Sequence, residues 1–268
     1  MITKRFGILI MTAVAPAFAQ VASAPRPAHV STITAPRYHS VMQSRFERGD
    51  GTVTSGNWSG YAVTGSGFNL AKGSWIVPTV TCNSATQYAV FWVGIDGYAS
   101  NTVEQTGTET VCSGGTPHYS AWYEFCCTEP IITIPSMTVL PGDKMSATVA
   151  YNTSTGKFTV QIIDERTGQK FAKSAAVAGA QRTSAEWIAE APSAGIILPL
   201  ADFGTVLFGK DTTGIAATNY ARNSSKAGPI GVFPVIEQIT MEKSGVMESI
   251  PSGLSSDGTS FSATWAAQ

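Results

Sequence analysis

Polar and apolar residues alternate with period two along most of this chain. In "FWVGIDG" (91–97), Trp92, Gly94 and Asp96 fall on one side and Phe91, Val93 and Ile95 on the other. In "AWYEFC" (121–126), Trp122, Glu124 and Cys126 oppose Ala121, Tyr123 and Phe125. Such alternation marks strands with one face on a core. It recurs in short runs bounded by Gly, Ser, Thr, Asn and Pro, giving candidate strands at 58–64, 73–80, 87–96, 103–111, 118–126, 145–152, 157–165, 170–177, 184–191, 205–213, 236–242 and 260–266. Helical periodicity nowhere exceeds two turns, and "LPLADFGT" (198–205) is the one place for a short helix. A dozen strands without interleaved helices predict an all-β sandwich or barrel. There is no strict internal repeat of the kind a propeller would carry.

The first fifty residues break this pattern. Lys4 and Arg5, the apolar run Gly7–Ala15 and the small-x-small "AFA" at 17–19 form a secretory signal over 1–19. The run is too short for the roughly 20 apolar residues of a membrane span. Residues 20–52 hold Arg26, Arg37, Arg45 and Arg48, and read as a basic pro-segment or linker ahead of one domain over 53–268. From residue 51 onward, 11 Lys and Arg stand against 16 Asp and Glu. A basic leader on an acidic body suggests electrostatic docking that acid would loosen. Export permits disulfides among Cys82, Cys112, Cys126 and Cys127. Cys82–Cys112 is the natural pair, leaving Cys126 and Cys127 as a vicinal bridge or two thiols.

Charge and residue supply remove several chemistries. Only 13% of the chain is charged and the body carries no basic patch, so nucleic acid is not expected as a partner. The body has one histidine, His118, at a strand start, which leaves Ser-His and Cys-His catalysis without a positioned base. No G-x-S-x-G, H-E-x-x-H or other ligand-spaced cluster occurs, and neither metal nor cofactor is expected. What remains is carboxylate, amide and aromatic chemistry. In "SAEWIAEA" (184–191), Glu186, Ile188 and Glu190 share a strand face, opposite Trp187 and Ala189. In "TVEQTG" (102–107), Val103 and Gln105 oppose Glu104 and Thr106. A sheet face offering tryptophans beside acids predicts a groove for an extended polymer.

Five stretches, in order, carry a resemblance: "NWSGYAV" (57–63), "FWVGIDG" (91–97), "VEQTG" (103–107), "YSAWYEF" (119–125) and "AEWIAEAP" (185–192). From about residue 55 to 268 the chain resembles the glutamic peptidases, the eqolisin family. The resemblance implies a concanavalin-like bent sandwich of two large antiparallel sheets, acid-active endopeptidase chemistry after export, and a catalytic pair, Gln105 and Glu190. Trp92, Asp96, Trp122 and Glu124 match positions that line the substrate cleft. It implies extended polypeptide substrates, a monomer, and no metal, cofactor or covalent intermediate. Two departures touch the cleft: Ser120 stands where the family commonly has Asp, and Cys126 where it has an aromatic residue. The alternatives are a glycoside hydrolase using Glu124 and Glu190, and a lectin-like carbohydrate-binding module.

Overall fold

The computed structural model describes residues 41–47, 52–126 and 130–266. The signal over 1–19, most of the segment 20–52, and Cys127 lie outside the described residues.

Eighteen strands follow in chain order: β1 (Phe46–Glu47), β2 (Thr52–Ser55), β3 (Trp58–Thr64), β4 (Leu70–Ile76), β5 (Gln87–Ile95), β6 (Val103–Ser113), β7 (Thr116–Cys126), β8 (Ile132–Thr133), β9 (Lys144–Asn152), β10 (Lys157–Asp164), β11 (Lys170–Ala175), β12 (Ser184–Glu190), β13 (Thr205–Gly209), β14 (Tyr220–Arg222), β15 (Ala227–Pro229), β16 (Ile236–Lys243), β17 (Val246–Pro251) and β18 (Ser260–Trp265). The fold is all-β. One arm of pairing runs β8-β7-β6-β5-β12-β3-β16-β2-β1; the other runs β11-β10-β9-β4-β13-β18-β17, with β14 also on β4 and β15 on β14. Strand β17 pairs with both β16 and β18 and joins the arms. Every pairing between these strands is antiparallel except β2 with β16.

Alternation decides which residues fill the space between the arms. Phe91, Val93 and Ile95 of β5, Ala121, Tyr123 and Phe125 of β7, and Ala185, Trp187 and Ala189 of β12 enter one core with Trp75 of β4 and Met145, Ala147 and Val149 of β9. Two indoles tie the sheets together: Trp75 Nε1 donates to Thr108 Oγ1 (2.9 Å) and Trp187 Nε1 to the Lys72 carbonyl (2.7 Å). The sheets approach so closely at Gly73 that a Cβ there would lie 2.2 Å from Val93 and 2.8 Å from the Trp187 ring. The other residues of the same strands form a second cluster on the opposite face: Trp58, Ala62, Val90, Trp92, Val103, Trp122, Cys126 and Ile188.

Three expectations are corrected. The strand expected at 73–80 is β4, which ends at Ile76; Pro78 has no N–H to continue the ladder. No helix forms at 198–205, where Leu200 and Asp202 make isolated bridges to Tyr88 and Thr81. The one α-helix among the described residues, α1 (Lys210–Thr213), lies instead at the end of the stretch expected as strand 205–213; Gly209, at φ 102°, ends β13 and Gly214, at φ 74°, closes the turn. Cys82 and Cys112 form the expected disulfide, fastening the loop before β5 to β6. Cys126 is also disulfide-bonded and is not a thiol.

Candidate active site

The second face of the β7-β6-β5-β12-β3 sheet carries the chemistry. Cross-strand register sets its rows. One row reads Glu237 (β16), Ala62 (β3), Glu186 (β12), Gly94 (β5), Gln105 (β6), Glu124 (β7). The adjacent row reads Gly60, Ile188, Trp92, Gly107, Trp122, and the next Trp58, Glu190, Val90, Glu109, Ser120. Small residues thus alternate with functional ones across the strands, giving long side chains room to converge. Gly94 has no such room: a Cβ there would meet the Trp92 ring at 2.7 Å.

Five of the six site residues expected from the sequence lie on this face. Gln105 Nε2 donates to Glu124 Oε2 (3.0 Å), and Trp92 Nε1 donates to Glu190 Oε2 (2.7 Å). Trp92 and Trp122 belong to the same packed cluster. Burial pushes the Glu190 carboxyl well above the usual carboxylate range, and the Glu124 charge pushes it further. The side chains of Trp92, Trp58 and Asn57 donate to it and pull partly the other way. Glu124, on the strand beyond Gln105, is thus joined to the amide by a hydrogen bond and acts on Glu190 through its charge.

Asp96, the sixth, does different work. It sits at φ 71°, a left-handed conformation that Asp tolerates better than most residues. Its oxygens accept from the backbone N–H groups of Gln181 (2.8 Å), Arg182 (2.6 Å) and Thr183 (2.8 Å) and from the Thr183 hydroxyl (3.1 Å). The carboxylate thereby pins the chain leading into β12, the strand that carries Glu186 and Glu190.

Glu186, which shares the face with Glu190, is fully buried. Among the described residues neither of its oxygens has a hydrogen-bond partner. Burial raises its pKa well above the ordinary value, Ser184 lowers it somewhat, and Asp96 and Glu104 raise it again. Glu104 is on the other face of β6, in the inter-sheet core, and burial with the Asp96 charge pushes it up to about 9.

The expected open groove is covered here. Trp58, Trp92, Trp122, Gln105 and Glu190 are all 0% exposed. Part of the cover is the leader itself. Val41 and Met42 pack on the tryptophan cluster. Met42 N donates to the Gly97 carbonyl (3.0 Å), Gln43 N to Asn57 Oδ1 (2.7 Å), and Gly56 N to the Gln43 carbonyl (2.8 Å). Asn57, Trp58 and Tyr98 are site neighbours that the sequence reading passed over. The first two stood inside the quoted "NWSGYAV", and Trp58 falls on the same strand face as Gly60 and Ala62.

The model of the Peptidase A4 family matches residues 56–246. The chain belongs to the Peptidase A4 family. Aspergillopepsin-2 of Aspergillus niger is 31% identical over 177 residues, which are 58% of this chain and 62% of that protein. The match therefore spans less than two thirds of that relative. A member of the eqolisin family of peptidases, solved with the tripeptide Ala-Ile-His, superposes with a TM-score of 0.62 at 25% identity, over 79% of this chain and 98% of that one. The aspergilloglutamic peptidase of Aspergillus niger gives 0.55 at 27% identity, over 67% and 99%. Scytalido-glutamic peptidase with a transition-state analogue inhibitor gives 0.65 at 23%, over 79% and 98%, and shares the sandwich fold. The family is glutamic-type, and the all-β sandwich expected from the sequence is the family's fold.

Proposed function

We propose that this chain is an exported, acid-active endopeptidase in which Glu190 and Gln105 hydrolyse peptide bonds through a water molecule. The observation that carries the reading is that Gln105, hydrogen-bonded to Glu124, and Glu190, hydrogen-bonded to Trp92, are buried on one face of one sheet within the residues matched by the family. Ionised Glu190 takes a proton from water as the oxygen attacks the carbonyl carbon, then delivers that proton to the nitrogen as the C–N bond breaks. The products are a carboxylic acid and an amine, with no covalent intermediate. One N–H of Gln105 is engaged by Glu124, which orients the amide; the side chain would donate to the forming oxyanion and accept from the attacking water as substrate enters. An amide does not titrate in this range, so its role holds in acid, where a histidine base would already be protonated.

The covered state is an inactive one on two grounds. Residues 41–43 lie where an extended substrate would lie, and burial raises the Glu190 pKa, favouring the neutral form that cannot accept a proton. Loss of the leader would readmit water, remove much of the burial effect and return Glu190 toward the ordinary carboxylate range. Acid loosens the leader by protonating carboxylates that face its arginines, and a cut near residues 45–55 frees it. The signal over 1–19 sends the chain out of the cell.

The test is digestion of a denatured protein across about pH 2 to 7, a range that brackets the ordinary Glu pKa, with wild type beside Glu190→Gln and Gln105→Ala. Hydrolysis confined to wild type is expected. Acid proteolysis that persists in both variants would place the catalyst elsewhere.

A further inference from the structure

We propose that Tyr98 and Glu237 form a subsite for a cationic side chain of the substrate, a site that the leader's own Arg45 fills in this structure. The proposal rests on the peptidase reading above and adds a substrate preference to it.

The leader is held as a bound peptide is held. Its backbone at 42 and 43 pairs with Gly97, Gly56 and Asn57, and its apolar side chains at 41 and 42 lie on the tryptophans. Three residues beyond Met42, the Arg45 guanidinium sits over the Tyr98 ring, 5.0 Å from its centroid. That is within the range at which a cation is attracted by an aromatic face. Tyr98 is only 6% exposed. Its hydroxyl faces both Arg45 and Glu237 but makes no well-formed hydrogen bond with any described residue. Arg45 also pairs with Glu47 at 3.3 Å. Glu47 belongs to the leader, so its departure leaves Glu237 as the acid facing the ring.

The subsite is on the catalytic face. Glu237 begins the row that reaches Gln105 four strands later. Four interstrand spacings come to about 19 Å, and an extended peptide covers about 3.3 Å per residue. The cation recognised here therefore sits within about six residues of the scissile bond. A planar guanidinium stacks on a ring better than an ammonium, so Arg should exceed Lys.

The groups facing Glu237 are Glu47, Tyr98 and Arg45. Burial, then the Glu47 charge, holds the Glu237 carboxyl above its ordinary value. The preference for Arg should therefore grow as pH rises from about 3 to about 6 and that carboxyl ionises.

The experiment uses the full chain incubated in acid and paired peptides that differ only by Arg or norleucine at one scanned position. Wild type is expected to show kcat/KM about tenfold higher for the Arg peptide at one position, the scale of a cation–aromatic contact. Tyr98→Leu and Glu237→Gln should each bring that ratio toward one. The norleucine peptide in the same sample reports whether a variant is folded and active. Glu237→Gln preserves shape, so the test stands if Tyr98→Leu fails to fold. Equal rates for both peptides at every position, or a ratio that survives both substitutions, would overturn the subsite alone. Wild type that cleaves neither peptide would overturn the peptidase reading and the subsite with it.

Discussion

The two faces of the β5-β6-β7-β12 sheet are built from alternate residues of the same strands, and both are buried. They differ in what they bury. The inter-sheet face is almost wholly apolar, with Phe91, Trp187 and Tyr123 packed on β4 and β9, and Glu104 as its acid. The other face buries Glu186, Glu190, Glu124, Glu109 and Gln105 among three tryptophans. Burying a carboxyl costs free energy that an apolar side chain would not. The first face follows from packing. The second requires another explanation, and the proposed hydrolysis at Glu190 beneath a removable cover would supply one.

Substitutions on each face should break this contrast in opposite ways. The largest effect expected is from Glu190→Gln, which should lower peptide hydrolysis by about 10²–10⁴, the usual worth of a general acid–base group. Its thermal midpoint should match or exceed that of wild type, because a buried carboxyl has been replaced by a neutral group. A large fall in the midpoint would mean that Glu190 is structural. Trp187→Ala, on the apolar face, should do the reverse. Loss of a fully buried indole and its bond to Lys72 should cost about 3–5 kcal/mol. Denaturant unfolding would measure this, and a cost below about 1 kcal/mol would contradict the packing described.

Glu104→Gln sharpens the comparison through pH. A carboxyl whose folded pKa is raised binds more protons folded than unfolded. Its penalty is absent below its ordinary value of 4.5 and grows as pH rises toward about 9. The variant should gain stability over wild type between pH 5 and about 8 and gain nothing near pH 4. Parallel melting-temperature profiles for the two proteins would remove Glu104 from the pH dependence. The smallest effect is expected from Glu124→Gln. Its side-chain carbonyl can still accept from Gln105, so the rate should fall by about tenfold, far less than the loss at Glu190. Abolished turnover would instead give Glu124 a direct part in the chemistry.

The faces themselves were legible in the sequence. Period-two reading put Trp92 opposite Phe91, Trp122 opposite Tyr123 and Glu190 opposite Ala189, and the two clusters divide along those lines. Short strands were not legible. Strands β14, β15 and β17 have three to six residues and take their stability from the strands they pair with (β4 for β14, β14 for β15, β16 and β18 for β17) rather than from any pattern of their own. The reach of 73–80 past Pro78 came from apolar character alone, where hydrogen bonding decides. The resemblance named Asp96 as a cleft group, and its carboxylate is taken by three consecutive amides about 85 positions onward. No local pattern signals such a contact. Tyr98 and Glu237 were missed for the same reason, being 139 positions apart in the chain and brought together through the pairings of β16 with β3, β3 with β12 and β12 with β5.

The covalent continuity of the leader has one further consequence. Residues 41–47 are joined through four residues to β2, whose pairing with β16 anchors it to the body. While the chain is whole, the segment meets the cleft at the effective concentration of a short tether, on the millimolar scale. One cut between β1 and β2 would leave β2 in place and turn the segment into a dilute competitor. Under the proposed function, a modest intrinsic affinity would be enough to silence the uncut protein and too weak to silence it again.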